Sequence, residues 1–312
     1  MKRFLLRLTR FLLPILALLF VMEIALRAIP NDYRAKRKHL EAESESIATL
    51  VLGSSHSLYG VNPDHMSTVT FNLAHLSQTL DIDLKLLQKY GDTMPDLQVV
   101  ILPISYFSLR YQLADRPWAW RLRNYEIYYG LDVSNSINYS FEILTCPFRT
   151  AVDRLGAYYL RKQESISISE SGWAADYAGE REIDFLASGE DAANRHLCTD
   201  TTEFPHMLAI LTELIEWCQS RNVRVLLFTP PAHETYCACL DEEQLQQTIT
   251  TAGAIAGRYP NCEYLNLLSD RRFVFDDFDD PDHLNAEGAA KLSRILDEEL
   301  QRSWELCERS LQ

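Results

Sequence analysis

Five short apolar runs, set apart by segments of helical period, constrain this 312-residue chain more than any other feature. They are ATLVL (48–52), VTFNLA (69–74), LQVVIL (97–102), VRVLLF (223–228) and EYLNLL (263–268). A strand with one wet face alternates apolar and polar residues, whereas these runs are apolar over most of their length, as strands covered on both faces are. Residues 80–90 read as a helix between the second and third runs. Met207, Ile210, Leu211, Leu214 and Cys218 recur at three-four spacing, as do Ala289, Leu292 and Leu296. Strands alternating with helices predict an α/β fold, a three-layer doubly wound parallel sheet of about five strands in the order 2-1-3-4-5. Residues 105–205 break the pattern, being rich in Trp, Tyr, Arg and Ser, and read as an inserted cap over the end of the sheet.

The chain begins MKRFLLRLTRFLLPILALLFVMEIALRAIP, with an apolar stretch from Phe11 to Met22 that runs on to Ile29 past Glu23 and Arg27. Nineteen helical residues at about 1.5 Å each just span the hydrocarbon layer. Glu23 and Arg27 stand four apart and can pair on one helix face near the far interface. No small-x-small cleavage site follows, so residues 1–30 read as an uncleaved membrane anchor, with a long signal peptide or an interfacial helix as the alternatives. Residues 31–47 are polar and charge-dense and form a helical or extended stalk, which leaves 48–305 as the sheet domain with its cap. Basic residues flank both sides of the apolar stretch, so the positive-inside rule nearly cancels.

Residues 1–40 carry nine Lys/Arg against Glu23 and Asp32, a net +7, and the total of −14 leaves −21 for the rest. No basic stripe follows, which argues against a nucleic-acid partner. Seven cysteines are an odd number for an oxidising compartment. Cys237 or Cys239 could reach Cys262, or all could be plain thiols.

The chemistry concentrates in two places. After the first strand comes GSSHS (53–57), where Gly53 permits a tight turn and the next helix opens with free backbone N–H groups. A serine hydroxyl there needs a base to take its proton. Far along the chain, DDFDDPDHLNAEG places Asp280 three residues before His283, just ahead of the last helix. Asp280 can hold Nδ1 of His283 and leave Nε2 to face the serine, the base and orienter of a triad. The order 2-1-3-4-5 brings both loops to one edge of the sheet.

Together these blocks resemble the SGNH/GDSL hydrolase superfamily, whose first block is G-D-S and whose last is D-x-x-H. More narrowly, the anchor, GSS after strand one, FNLAHLSQ after strand two and DHLNAEGA at the end are similar to membrane-anchored, extracytoplasmic members related to the teichoic-acid D-alanine transfer and alginate O-acetylation proteins. The resemblance covers roughly residues 45–110 and 205–300. It implies Ser55 as nucleophile, His283 as base and Asp280 as its orienter, with Ser54 in the place of the block's aspartate. It further implies oxyanion donors at Ser55, at Ser77 in place of a glycine, and at Ser105 in place of an asparagine. The activity implied is that of an acyl esterase or O-acyltransferase, and the partners are the cytoplasmic membrane, a polysaccharide or acylated glycan, and an acyl-donor membrane protein. The catalytic domain would be extracytoplasmic, and no cofactor is expected. The altered second and third blocks also suit a catalytically weak binding or scaffold protein in glycan assembly or export.

Other residues have plainer readings. His56, next to Ser55, suits a local hydrogen bond better than a base. Aspartates 276, 277, 279, 280 and 282 lack the regular spacing of a calcium loop, so no metal is expected. His233 and Tyr236, in TPPAHETY after strand four, are candidate pocket-lining residues, and Trp118, Trp120, Arg121, Arg195 and His196 in the cap suit either stacking on sugars or a cap core.

Overall fold

The computed structural model describes residues 1–134, 136–175 and 183–310, with side chains to residue 302. Residues 176–182 of the expected cap lie outside the described residues. The five apolar runs become β1 (Thr49–Val51), β2 (Thr70–Asn72), β3 (Val99–Pro103), β4 (Arg224–Thr229) and β5 (Cys262–Asn266). They form one all-parallel sheet in the order β2-β1-β3-β4-β5. Leu50 stands opposite Phe71 and Val100, and Ile101 opposite Val51 and Leu226.

Successive strand residues point to opposite faces, and Leu50, Val51, Leu52, Val99, Val100, Ile101 and Leu102 are all fully buried, so both faces are covered. On one face Val51, Ile101, Leu226 and Phe228 pack with Leu292, Leu296 and Leu300 of the helix Ala286–Ser310. Helices Leu80–Tyr90 and Phe204–Gln219 pack against each other and bury Ile82, Leu86, Leu87, Met207, Leu211 and Leu214. Each such side chain removed from water stabilises the fold by about 1.5–3 kcal/mol. The first of these helices carries Asp81 and Asp83 in its first turn and Lys89 in its last, the charge order its dipole favours. Helix Glu242–Arg258 is started by Asp241, whose carboxylate accepts the Gln244 N–H at 2.9 Å.

Contacts divide the chain into two units, Met1–Lys38 with Pro117–Ser167, and His39–Arg116 with Ile168–Gln312. The second holds the sheet. In the first, helix Lys2–Ala28 is long and apolar enough to cross a membrane. Its last turns are covered: Met22, Leu26 and Ile29 pack with Ile143, Ala151, Leu155 and Tyr158. Glu23 bonds Arg27 at 2.6 Å and also accepts the backbone N–H groups of Glu142 and Ile143 at 3.1 and 3.0 Å. Residues 125–129 and 156–160 of this unit are π-helical turns, whose wider pitch carries no 3.6-residue period.

The six cysteines whose side chains are described are all unpaired, Cys237, Cys239 and Cys262 among them. Cys262 is buried in β5 while Cys239 is exposed.

Candidate active site

The chain leaves β1 through Gly53, whose φ is +108°. A Cβ there would lie 2.2 Å from Pro103 Cγ at the end of β3, so only glycine fits both the dihedral and the space. The Gly53 N–H donates to Asp83 Oδ1 at 2.8 Å and its carbonyl accepts the His75 N–H at 3.1 Å, tying the turn to the segments on either side. Asp83 also accepts Gln78 Nε2 at 2.6 Å, and burial pushes its carboxyl up to about 7. Gly53→Ala combines dihedral strain and overpacking of about 1–3 kcal/mol each. Urea unfolding of the detergent-solubilised chain should show a loss of about 2–5 kcal/mol, and an unchanged midpoint would contradict this description of the turn.

Helix Ser55–Gly60 begins immediately after. Ser54 is its cap residue, with a carbonyl that accepts the Ser57 and Leu58 N–H groups and a hydroxyl that is buried without a hydrogen-bond partner. Ser55 is half-buried. Facing it is an antiparallel hairpin absent from the sequence reading, β6 (Phe278–Asp280) and β7 (His283–Leu284), in which Asp280 pairs directly with His283. Asp280 Oδ1 accepts the backbone N–H groups of Asp282 and His283 at 2.9 and 2.8 Å, closing the turn on itself. The Pro281 carbonyl accepts the His233 N–H at 2.9 Å, and the Asp277 carbonyl accepts that of Asn285 at 3.0 Å.

His283 Nδ1 lies 3.0 Å from both carboxylate oxygens of Asp280, and Nε2 lies 2.8 Å from Ser55 Oγ. A carboxylate can only accept, so Nδ1 carries the ring proton of a neutral imidazole and Nε2 accepts from the Ser55 hydroxyl. Residues 228 positions apart thus share a proton path.

Beside this line stands a second carboxylate that the sequence reading weighed only as a calcium ligand. Asp282 is buried, with Oδ1 3.6 Å from His283 Nδ1 and Oδ2 3.5 Å from His56 Nε2 and 3.9 Å from His196 Nδ1. Burial opposes its charge, yet the fields of His283, His56 and His196 and a hydrogen bond from His56 hold its carboxyl well below the usual range. Burial pulls His283 down, but the charges of Asp282 and Asp280 and the bond to Asp280 outweigh it, and its pKa is raised. His196 goes the other way, drawn down to about 3 by burial. The cavity bounded by His56, Ser105, Tyr236 and Asp282 measures about 10 Å³, room for one water at most, so Asp282 reaches a reacting group only through His283.

The other expected residues fall as follows. Ser77 has φ +60°, the left-handed region a glycine enters without strain, in a turn closed by Gln78 N–H to His75 O at 3.1 Å. Ser105 differs from expectation. Its Oγ lies 2.7 Å from His56 Nδ1, and because His56 Nε2 faces the Asp282 carboxylate and so carries the ring proton, Nδ1 accepts the serine hydroxyl. The Ser105 N–H is spent on Ser108 Oγ at 2.9 Å. Ser105 therefore orients His56 instead of facing an oxyanion. Tyr236 is buried with its hydroxyl 2.8 Å from His196 Nδ1, and His233 caps the turn Glu234–Cys237 among the rings of Phe185, Phe275 and Phe278. His56, Asp282 and His283 each bring one metal-ligating atom within 4.8 Å of the others. A cation there would have to take His283 from Ser55 or Asp280, so the donor set suits proton transfer better than coordination.

No family model and no curated protein matches the chain. Among the solved structures that overlap it are two that span most of both chains. One, from Streptococcus pneumonia and provisionally described as a platelet activating factor, is 12% identical over 94% of this chain and 99% of its own, with a TM-score of 0.42. The other, provisionally described as an acylhydrolase of Bacteroides fragilis NCTC 9343, is 9% identical over 86% and 95%, with a TM-score of 0.41.

Proposed function

We propose that the chain is a membrane-anchored serine acyl esterase or O-acyltransferase of the SGNH/GDSL kind, with Ser55 as nucleophile, His283 as general base and Asp280 as the residue that orients it. One observation carries the reading: a single imidazole bridges Ser55 Oγ and the Asp280 carboxylate at 2.8 and 3.0 Å. In the reaction Ser55 Oγ adds to an ester carbonyl as its proton passes to His283 Nε2, and Asp280 stabilises the imidazolium. Backbone N–H groups of Ser55 and Ser77 hold the tetrahedral oxyanion. The imidazolium then protonates the leaving alcohol, and water or a sugar hydroxyl, deprotonated by the same ring, releases the acyl group from Ser55.

The helix Lys2–Ala28 would fix this domain to the cytoplasmic membrane on its outer side, where a cell-envelope polysaccharide is the acceptor and an acyl-donor membrane protein the source. Hydrolysis of 4-nitrophenyl acetate tests the esterase step: measurable turnover is expected, and none above that of Ser55→Ala would overturn it. If added oligosaccharide accelerates release of nitrophenol and acquires the acetyl group, the protein is a transferase. The commitment of the Ser105 hydroxyl to His56 favours a second reading, a scaffold of the same fold with weak catalysis, because losing one oxyanion donor costs about 3 kcal/mol.

Asp282 makes the pH profile diagnostic. The raised pKa of His283 means that the free base is available only at higher pH than for an ordinary histidine. Removing the Asp282 charge destabilises the imidazolium and lowers that pKa, so in Asp282→Asn the acid limb of kcat/KM should move to lower pH. A limb that stays in place would show that Asp282 does not act on His283.

A further inference from the structure

The unit formed by Met1–Lys38 and Pro117–Ser167 contains a cavity of about 600 Å³ that the acyl-transfer chemistry does not use. One wall is Ile29–Tyr33, the residues directly after the apolar helix. The others include Trp120, Arg123, Tyr128, Arg154 and Tyr158.

Its two arginines gather at one point of the wall. Arg123 Nε lies 3.1 Å and Arg154 Nη1 2.6 Å from the same oxygen of Glu142, whose other oxygen accepts the Tyr128 hydroxyl at 2.6 Å. Glu142 is fully buried, and its carboxyl stays below the usual range: burial opposes the charge, but the two guanidiniums outweigh it. Two cations on one carboxylate leave a positive charge over, and the Arg123 side chain is only 6% exposed. Arg123 Nε has no well-aligned hydrogen bond, although it is close to Glu142. Two further acids line the cavity. Asp32 is occupied by the N–H and hydroxyl of Ser167 at 2.8 and 2.6 Å, and Glu164 is exposed at the rim.

The second observation is apolar. Helix Phe148–Leu155 turns Ala151 and Leu155 toward Met22, Leu26 and Ile29, while Phe148 and Val152, with Leu144 and Leu160 nearby, are 61%, 45%, 58% and 83% exposed. If that helix crosses a membrane, an uncovered stripe on a segment packed against its end would lie at the level of lipid head groups. Arg149, Arg161 and Lys162 are exposed on the same segment and outnumber Asp153, which lies 3.9 Å from Arg149, and Glu164, a small positive excess toward an anionic surface.

We propose that this cavity binds the head group of an anionic amphiphile, its phosphate or carboxylate on Arg123 and Arg154, its neighbouring hydroxyls against Trp120 and Tyr158, and its apolar chains leaving past Ile29 and Pro147 of the lining toward the exposed Leu144 and Phe148 and the bilayer. The site depends on the helix Lys2–Ala28 and the residues after it and not on Ser55, so ester hydrolysis and lipid binding fail independently.

The test uses the full chain, delipidated in a neutral detergent, and native mass spectrometry of retained dihexanoyl phosphatidylglycerol. Dihexanoyl phosphatidylcholine and glycerol phosphate are the comparison ligands. One phosphatidylglycerol per chain is expected, bound about tenfold more tightly than the zwitterionic lipid and about 100-fold more tightly than glycerol phosphate, which lacks the chains. Arg154→Gln, which removes the charge, and Ala157→Trp, which fills the cavity from its lining, should each lower affinity about tenfold. If the two variants retain lipid as the parent does, the lipid is merely carried on the apolar helix and the site is refuted. Equal binding of glycerol phosphate would make the ligand a soluble anion and refute the amphiphile. Should Arg154→Gln fail to fold because Glu142 is left half-paired, Ala157→Trp, which leaves both arginines in place, decides alone.

Discussion

Ser55→Ala is expected to lower kcat for an activated acyl ester by about 10⁶-fold, with little change in KM. In the proposed mechanism the hydroxyl is the group that bonds to the acyl carbon, and the half-buried Ser55 is the serine that faces His283 Nε2. Ser54 has a buried hydroxyl and cannot substitute. Rate above that of water persists in the variant only to the extent that backbone donors still bind the oxyanion. Stopped-flow or steady-state hydrolysis of 4-nitrophenyl acetate measures the loss. A variant within tenfold of the parent would remove Ser55 from the mechanism.

Asp280→Asn is expected to lower kcat by about 10⁴-fold while the fold survives. The carboxylate now fixes the ring proton on Nδ1. An amide in its place can donate to Nδ1, which puts the proton on Nε2 and leaves the ring unable to accept from Ser55. The same oxygen receives the backbone N–H groups of Asp282 and His283, so the amide oxygen of asparagine can preserve the turn if it takes over those bonds. Thermal unfolding measured alongside kcat separates the two roles. A melting temperature near the parent's with the large kinetic loss assigns the effect to the tautomer. A variant that retains a tenth or more of the activity would show that Asp282, 3.6 Å from the same nitrogen, is the true orienter.

The sheet was legible because each strand is apolar over most of its length and flanked by helical period, and β1 to β5 fall within one residue or two of the runs in the sequence. The ligand edge followed from strand order, since Gly53 leaves β1 beside the end of β3. The hairpin that presents His283 was not legible. It is two or three residues per strand, and what shapes it is the Asp280 carboxylate capping its own turn, a signal carried by one side chain and not by any period. Asp282 was equally hidden, because its partners His56 and His196 lie more than eighty residues away along the chain and meet only around its oxygens. Ser105 illustrates the limit of matching by position: its place after β3 was read correctly, but its hydroxyl is directed by His56, whose own proton is set by Asp282. Residues 117–167 gave little periodic signal because, apart from the 8-residue helix Phe148–Leu155, their helical turns are short and mostly π or 3-10, set around buried Arg123, Glu142 and Tyr125.

Peptide mapping of the intact protein after treatment with a fluorophosphonate tests the central claim most directly. An adduct on the peptide containing Ser55, retained in Ser54→Ala and lost in both Ser55→Ala and His283→Ala, is the predicted result. No adduct on the intact protein, or one that persists in Ser55→Ala, would contradict it.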